Sequence, residues 1–193
     1  MIWKLHEARG RILVWIVANF LGVAAVGGLS LIPFLTSIHV RWVPFLLIGL
    51  PIGFVQWVAL RRIAPISILW VLTISAALPF GLAVTPLVTQ IWGNIDDESA
   101  LAMTAFVTTI GLFIGFAQWL VLRRHFSKSL VWLLSTAVGL GLGFAFILGT
   151  NLIDHGLTSI ILVTLVYSIV TGLTILWMQV SGTEIDSNLA NAT

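Results

Sequence analysis

Three glutamines are the residues of this 193-residue chain whose type and spacing invite a chemical reading: Gln56, Gln118 and Gln179, each near one end of a long apolar stretch. A carboxamide carries two donor hydrogens and an oxygen that accepts twice. In apolar surroundings it either bonds a neighbouring helix or offers those groups to a ligand. Gly49, Gly53, Gln56 and Leu60 fall at i, i+4, i+7 and i+11, one face of a helix, and Gly111, Gly115, Gln118 and Leu122 repeat the arrangement. GxxxG admits a second backbone at close range, and a Gln beside that contact can bond across it. Two readings stay open: interhelical polar contacts, or amides that, with Asn19, line a cavity for a solute, an ion or a pigment. An amide oxygen is a hard donor, able to ligate the magnesium of a chlorophyll.

A second set is cationic and aromatic. Arg61-Arg62 and Arg123-Arg124, with Lys128, would form a basic rim, and Trp15, Trp57, Trp70, Trp119, Trp132 and Trp177 lie near the same depth. Arg binds phosphate and indole prefers the headgroup boundary. The pattern predicts a topology anchor with an aromatic belt, or a docking surface for acidic lipid or an acidic partner. Other chemistry finds little footing. His6, His39, His125 and His155 fall outside the apolar stretches with no metal-ligand spacing on one helix, and Asp96-Asp97-Glu98 reads as a solvated loop. There is no HExxH, no P-loop and no GxSxG with partners, and the apolar stretches hold no Asp, Glu, His or Lys. The expectation is a non-enzymatic protein with no metal site and no predicted cofactor, a pigment remaining open; a proton-coupled pump would need ionisable groups inside the spans.

The elements that must position these residues follow from composition. Hydrophobic residues make up 59% of the chain and charged residues 8%. A soluble domain carries roughly a quarter charged residues, so this chain cannot cover itself in water. That excludes a soluble enzyme, a nucleic-acid-binding domain and a disordered chain. Six charge-free stretches stand out: Ile12 to Leu35, Val43 to Leu60, Ile66 to Val88, Met103 to Leu122, Leu130 to Ile153 and Leu157 to Val180. A bilayer core of about 30 Å takes roughly 20 helical residues, and only a helix satisfies its own backbone in lipid, so each is expected to span as a helix. Of the nine Lys and Arg, all but Arg41 then fall on one side, which places both termini in the cytoplasm. Asp96, Asp97, Glu98 and Asp154 lie outside, with Thr89 to Ala102 as the expected mobile loop.

The chain also repeats itself. GLPIGFVQWVALRRIAP at 49–65 and GLFIGFAQWLVLRRHFS at 111–127 align without a gap at an offset of 62, an alignment that also pairs Trp70 with Trp132 and Gly81 with Gly143. Trp15 aligns with those two Trp, and GLTILWMQ at 172–179 aligns at an offset of 61, placing Gln179 under Gln118. The predicted fold is therefore all-α and integral to the membrane: one domain over 1–180, built from three parallel helical hairpins (about 12–60, 66–122 and 130–180) in a pseudo-threefold arrangement, and a disordered cytoplasmic tail over 181–193.

The doubled GxxQWxxLRR resembles that of small multi-span bacterial membrane proteins of cyanobacterial type that carry repeated GxxQWxxLR stretches; the likeness covers Gly49 to Phe146. It implies a cell inner-membrane or thylakoid setting and assigns no catalytic or binding residue. The hairpin plan is similar to that of mitochondrial carriers in architecture only, without their charged Pro-containing signature. The leading expectation is a subunit or accessory scaffold that binds membrane lipids or another membrane protein, with no nucleic-acid partner. The alternatives are a small-solute permease or substrate-binding transporter component, and a pigment-associated subunit of a photosynthetic complex.

Overall fold

The computed structural model of the chain describes residues 2–30, 43–91, 100–150, 152 and 156–190. Among them lie six helices and no strand: α1 (Ile2–Ser30), α2 (Val43–Leu60), α3 (Leu69–Ile91), α4 (Ala100–Leu122), α5 (Leu130–Gly149) and α6 (Gly156–Ala190). Three segments are long and apolar enough to cross a membrane: Leu101–Leu122, Leu130–Gly149 and Gly156–Ser181. Gly10–Val26, Leu47–Leu60 and Leu69–Gly81 are shorter apolar helical segments among the described residues. Arg41, His39, Asp154, His155 and most of the expected loop Thr89 to Ala102, with its acidic run, lie outside the described residues.

Each helix packs on its chain neighbours and α6 returns to α1, so the six close into a ring. The short described connections from α2 to α3 and from α4 to α5 hold those helices as neighbours. Between α2 and α3 the chain turns tightly: Ile63 N–H donates to Leu60 C=O at 2.8 Å and Ala64 N–H to the same carbonyl at 3.0 Å. Phe126 N–H repeats that bond to Leu122 C=O at 3.0 Å between α4 and α5.

The polarity of the ring is inverted relative to a water-soluble bundle. Its outer faces expose large apolar side chains on every helix, among them Leu13, Phe54, Leu72, Phe116, Leu134 and Leu173. Its interior buries Asn19, Gln56, Gln118, Thr136, Ser168 and Thr171. Polar groups turned inward and an apolar exterior suit a hydrocarbon solvent.

Helix ends depart from the sequence expectation in several places, three of which have a clear physical reason. α1 begins at Ile2, ahead of the apolar stretch, because nothing between Ile2 and Arg11 breaks a helix that the stretch already propagates. α3 begins at Leu69, after Pro65, and leaves Ile66 in the turn, where it is nonetheless buried. The tail expected to be disordered from Ser181 is helical as far as Ala190, since it contains no Pro and continues a formed helix; 191–193 lie outside the described residues.

Close helix contacts sit where the sequence repeats glycine. A Cβ on Gly53 would stand 2.6 Å from the Val71 carbonyl oxygen, and one on Gly115 would stand 2.8 Å from that of Leu133. Gly115→Ala is therefore expected to lower the thermal midpoint in dodecyl maltoside, at a cost of about 1–3 kcal/mol from overpacking. Gly10→Ala, whose new Cβ meets nothing within 4 Å, should leave the midpoint unchanged or slightly raised. Near-UV circular dichroism on heating reads both, and equal midpoints would refute the close contact.

Candidate functional site

Trp15, Trp70 and Trp132 come from α1, α3 and α5 and meet on the ring axis, each no more than 1% exposed. Trp132 stands between the other two. Its ring centroid lies 5.7 Å from that of Trp15 at 74° and 5.7 Å from that of Trp70 at 65°, both edge-to-face. Such contacts contribute about 0.5–1.5 kcal/mol each beyond burial. Complete burial corrects the aromatic-belt expectation for these three residues, because a side chain enclosed by six helices cannot reach a headgroup.

Each buried indole N–H needs an acceptor, and the even-numbered helices supply them. Trp132 Nε1 donates to Gln118 Oε1 at 2.8 Å, and Trp70 Nε1 donates to Gln56 Oε1 at 3.3 Å. Trp15 Nε1 donates to Thr171 Oγ1 at 3.0 Å, and Thr171 passes its own proton to Tyr167 C=O at 2.7 Å. The amides also bind one another. Gln118 Nε2 donates to Gln56 Oε1 at 3.4 Å, Gln56 Nε2 to Asn19 Oδ1 at 2.7 Å, and Asn19 Nδ2 to Trp15 C=O at 2.9 Å. One hydrogen-bonded network thus reaches all six helices. Ser135 and Thr174 add a hydroxyl pair at 2.6 Å between α5 and α6. Among the described residues, Ser75 Oγ, pressed against Gly49, is the one buried side-chain polar atom without a partner.

Gln179 does not join Gln56 and Gln118. It sits half-buried at the basic end and accepts a bond from Arg11 Nη1 at 3.0 Å. Thr171, eight residues earlier and so about 12 Å back along the helix, occupies the acceptor role that the sequence alignment gave to Gln179. A usable signal existed. Thr164, Ser168, Thr171 and Ile175, all buried, reproduce the spacing of Gly49, Gly53, Gln56 and Leu60 with hydroxyl side chains in place of glycine and amide.

Beyond the Trp layer, on the side away from the Arg pairs, the axis opens into a half-enclosed cavity of about 220 Å³. Its lining comes from all six helices: Asn19 and Val23 from α1, Ile48, Ile52 and Gln56 from α2, Ile74 and Leu78 from α3, Ile114 from α4, Leu140 from α5, and Val163, Thr164 and Tyr167 from α6. The Tyr167 hydroxyl is a neighbour of both Gln56 and Gln118. The axis is filled at one level and hollow at the next.

Trp57, Trp119 and Trp177 sit at the basic end, where the exposed Arg61, Arg62, Arg123, Arg124 and Lys128 also lie. Arg61 lies over the Trp57 ring at 4.7 Å, Arg123 over Trp119 at 5.3 Å and Lys128 over Trp177 at 5.1 Å. Trp57 and Trp119 are half-buried and Trp177 is 45% exposed. His125 is exposed at this rim; among the described residues no three His, Cys, Asp or Glu side chains gather as a metal site would require.

Fold and site together define a helical, membrane-type bundle with a buried tryptophan and amide cluster and an adjoining cavity. No protein-family model, curated protein or solved structure matches the chain.

Gln118→Leu strands the Trp132 indole proton and is expected to destabilise the bundle by about 1–3 kcal/mol. Gln179→Leu, at the solvated rim, should cost under ~0.5 kcal/mol. A double-mutant cycle of Gln118→Leu with Trp132→Phe isolates the bond; strictly additive effects would show that it contributes nothing.

Proposed function

We propose that the chain is a non-enzymatic integral membrane module, an accessory or scaffold subunit that engages acidic lipid or an acidic partner protein through its basic rim. In this reading it crosses a cell inner or thylakoid membrane six times, as three hairpins around a pseudo-threefold axis, with both termini in the cytoplasm. The matched bonds of Trp70 to Gln56 and Trp132 to Gln118, and the equivalent use of Thr171 by Trp15, support the hairpin plan. The observation that carries the functional reading is the rim itself. Three cations sit over three Trp rings at one end of the bundle, with Arg62 and Arg124 exposed beside them. Arg fixed on an indole presents its remaining donors to phosphate or carboxylate at little entropic cost. Non-enzymatic action is favoured by the site chemistry: the buried amides and indoles are committed to one another, and none of them titrates.

A second reading, a solute-binding component of a transporter, draws on one observation, the axial cavity bordered by Asn19 and Gln56.

Two measurements test the main proposal. The chain has no Cys, so single cysteines introduced at Asp97 and His125 report topology without a background. In intact cells a membrane-impermeant maleimide should label Asp97→Cys and spare His125→Cys until permeabilisation; labelling of both from outside would overturn the six-span plan. Mass spectrometry after gentle solubilisation should find an acidic lipid or a partner subunit that is lost when Arg61, Arg62, Arg123 and Arg124 are all changed to Gln. A monodisperse protein without either, transporting a solute in liposomes, would overturn the scaffold reading.

A further inference from the structure

The cavity beyond the Trp layer has a chemistry distinct from the rim. Its walls are branched aliphatic side chains, Ile52, Ile74, Ile114, Leu140 and Val163 among them, and its polar border is Asn19, Gln56, Thr164 and Tyr167, each at least nine-tenths buried. Among the described residues no Lys, Arg, His, Asp or Glu lines it. These walls would desolvate a charged ligand without offering a counter-ion, which favours a neutral one.

The network fixes what a neutral ligand must bring. Gln56 Oε1 already accepts from Trp70 and Gln118, so its two acceptor sites are used. Gln56 Nε2 spends one hydrogen on Asn19 Oδ1 and the Gln56 amide also faces the Tyr167 hydroxyl, whereas Asn19 Nδ2 spends one on Trp15 C=O and carries a second. The Tyr167 hydroxyl, beside both glutamines, stands at the same border. The second Asn19 hydrogen is the donor that the end of the cavity meeting the network keeps for an acceptor oxygen. Size sets the body of the ligand: an engineered apolar cavity of about 150 Å³ takes a benzene ring, so 220 Å³ accommodates about ten non-hydrogen atoms.

We propose that this cavity binds a neutral, lipid-soluble molecule with a compact apolar ring and a carbonyl oxygen, of the quinone type, the oxygen directed at Gln56, Asn19 and Tyr167 and the ring against the aliphatic walls. The proposal does not rest on the rim, and its failure is separable from failure of the scaffold reading.

The test compares duroquinone with durene, the same tetramethylated ring without oxygens, by equilibrium dialysis against the full chain in dodecyl maltoside at equal micellar mole fractions. Duroquinone should bind about 3- to 10-fold tighter, the worth of one net hydrogen bond, and should raise the thermal midpoint. Leu78→Trp, which fills the cavity, should abolish binding of both; Val23→Phe does the same from α1 should the first variant fail to fold. Tyr167→Phe should keep durene binding and reduce the preference for duroquinone. The fourfold Arg→Gln rim variant should bind both as the parent does. Equal affinity for the two compounds, no binding by a folded parent, or binding that survives both cavity-filling variants would each overturn the proposal.

Discussion

An indole N–H enclosed by helices whose outer faces meet hydrocarbon has no water to accept its proton, and this one constraint organises the interior. Burying a polar group without a partner costs on the order of several kcal/mol in an apolar medium. Three Trp on the axis therefore require three acceptors at one level. Gln56, Gln118 and Thr171 provide them, each from a helix adjacent in the ring to that of its Trp. Gln suits the position because its oxygen accepts while its nitrogen continues the chain of bonds to the next amide. Thr suits it for another reason: its hydroxyl accepts from Trp15 and discharges its own proton into the helix backbone.

Distance is the second requirement, and glycine meets it. For an amide on one helix to reach an indole on the next, the two backbones must approach closely, which Gly53 against Val71 and Gly115 against Leu133 allow. α6 replaces those glycines with Thr164 and Ser168, and its acceptor becomes the shorter hydroxyl of Thr171. The cavity follows from the same geometry. The Trp layer fills the axis at one level, and at the next the lining is mainly Ile, Leu and Val, around a space of about 220 Å³.

Much of this was legible in the sequence, and the remainder was hidden for identifiable reasons. Charge-free runs announce helices, and the doubled GxxxGxxQ marks the α2 and α4 faces that pack on α3 and α5. The fate of Trp15, Trp70 and Trp132 was not legible, because near a helix end an indole suits a membrane interface as well as a core, and depth alone does not say which way a side chain points. Gln179 misled because matching residue type outweighed matching spacing; the buried positions Thr164, Ser168, Thr171 and Ile175 keep the spacing and change the chemistry. The tail misled because its polar composition suggests disorder, while a helix already formed through Val180 propagates without a new nucleus. The cavity is a property of six helices at once, and no local pattern encodes it.

The basic rim and the axial cavity differ physically in a way that bears on what the bundle could do. The rim interacts through full charges, and its attraction for anions falls with salt. The interior holds no full charge in its network and is insensitive to salt by the same argument. Yet the interior network touches every helix, so a molecule that accepts a proton from Gln56 or Asn19 is bonded to the elements that hold the ring closed. Occupancy and bundle stability are then linked, since a molecule bound there would stabilise the folded ring by mass action. A rim that docks to a partner and an axis that takes a neutral ligand would report to each other only through α2 and α4, which carry Gln56 and Gln118 and end at the Arg pairs.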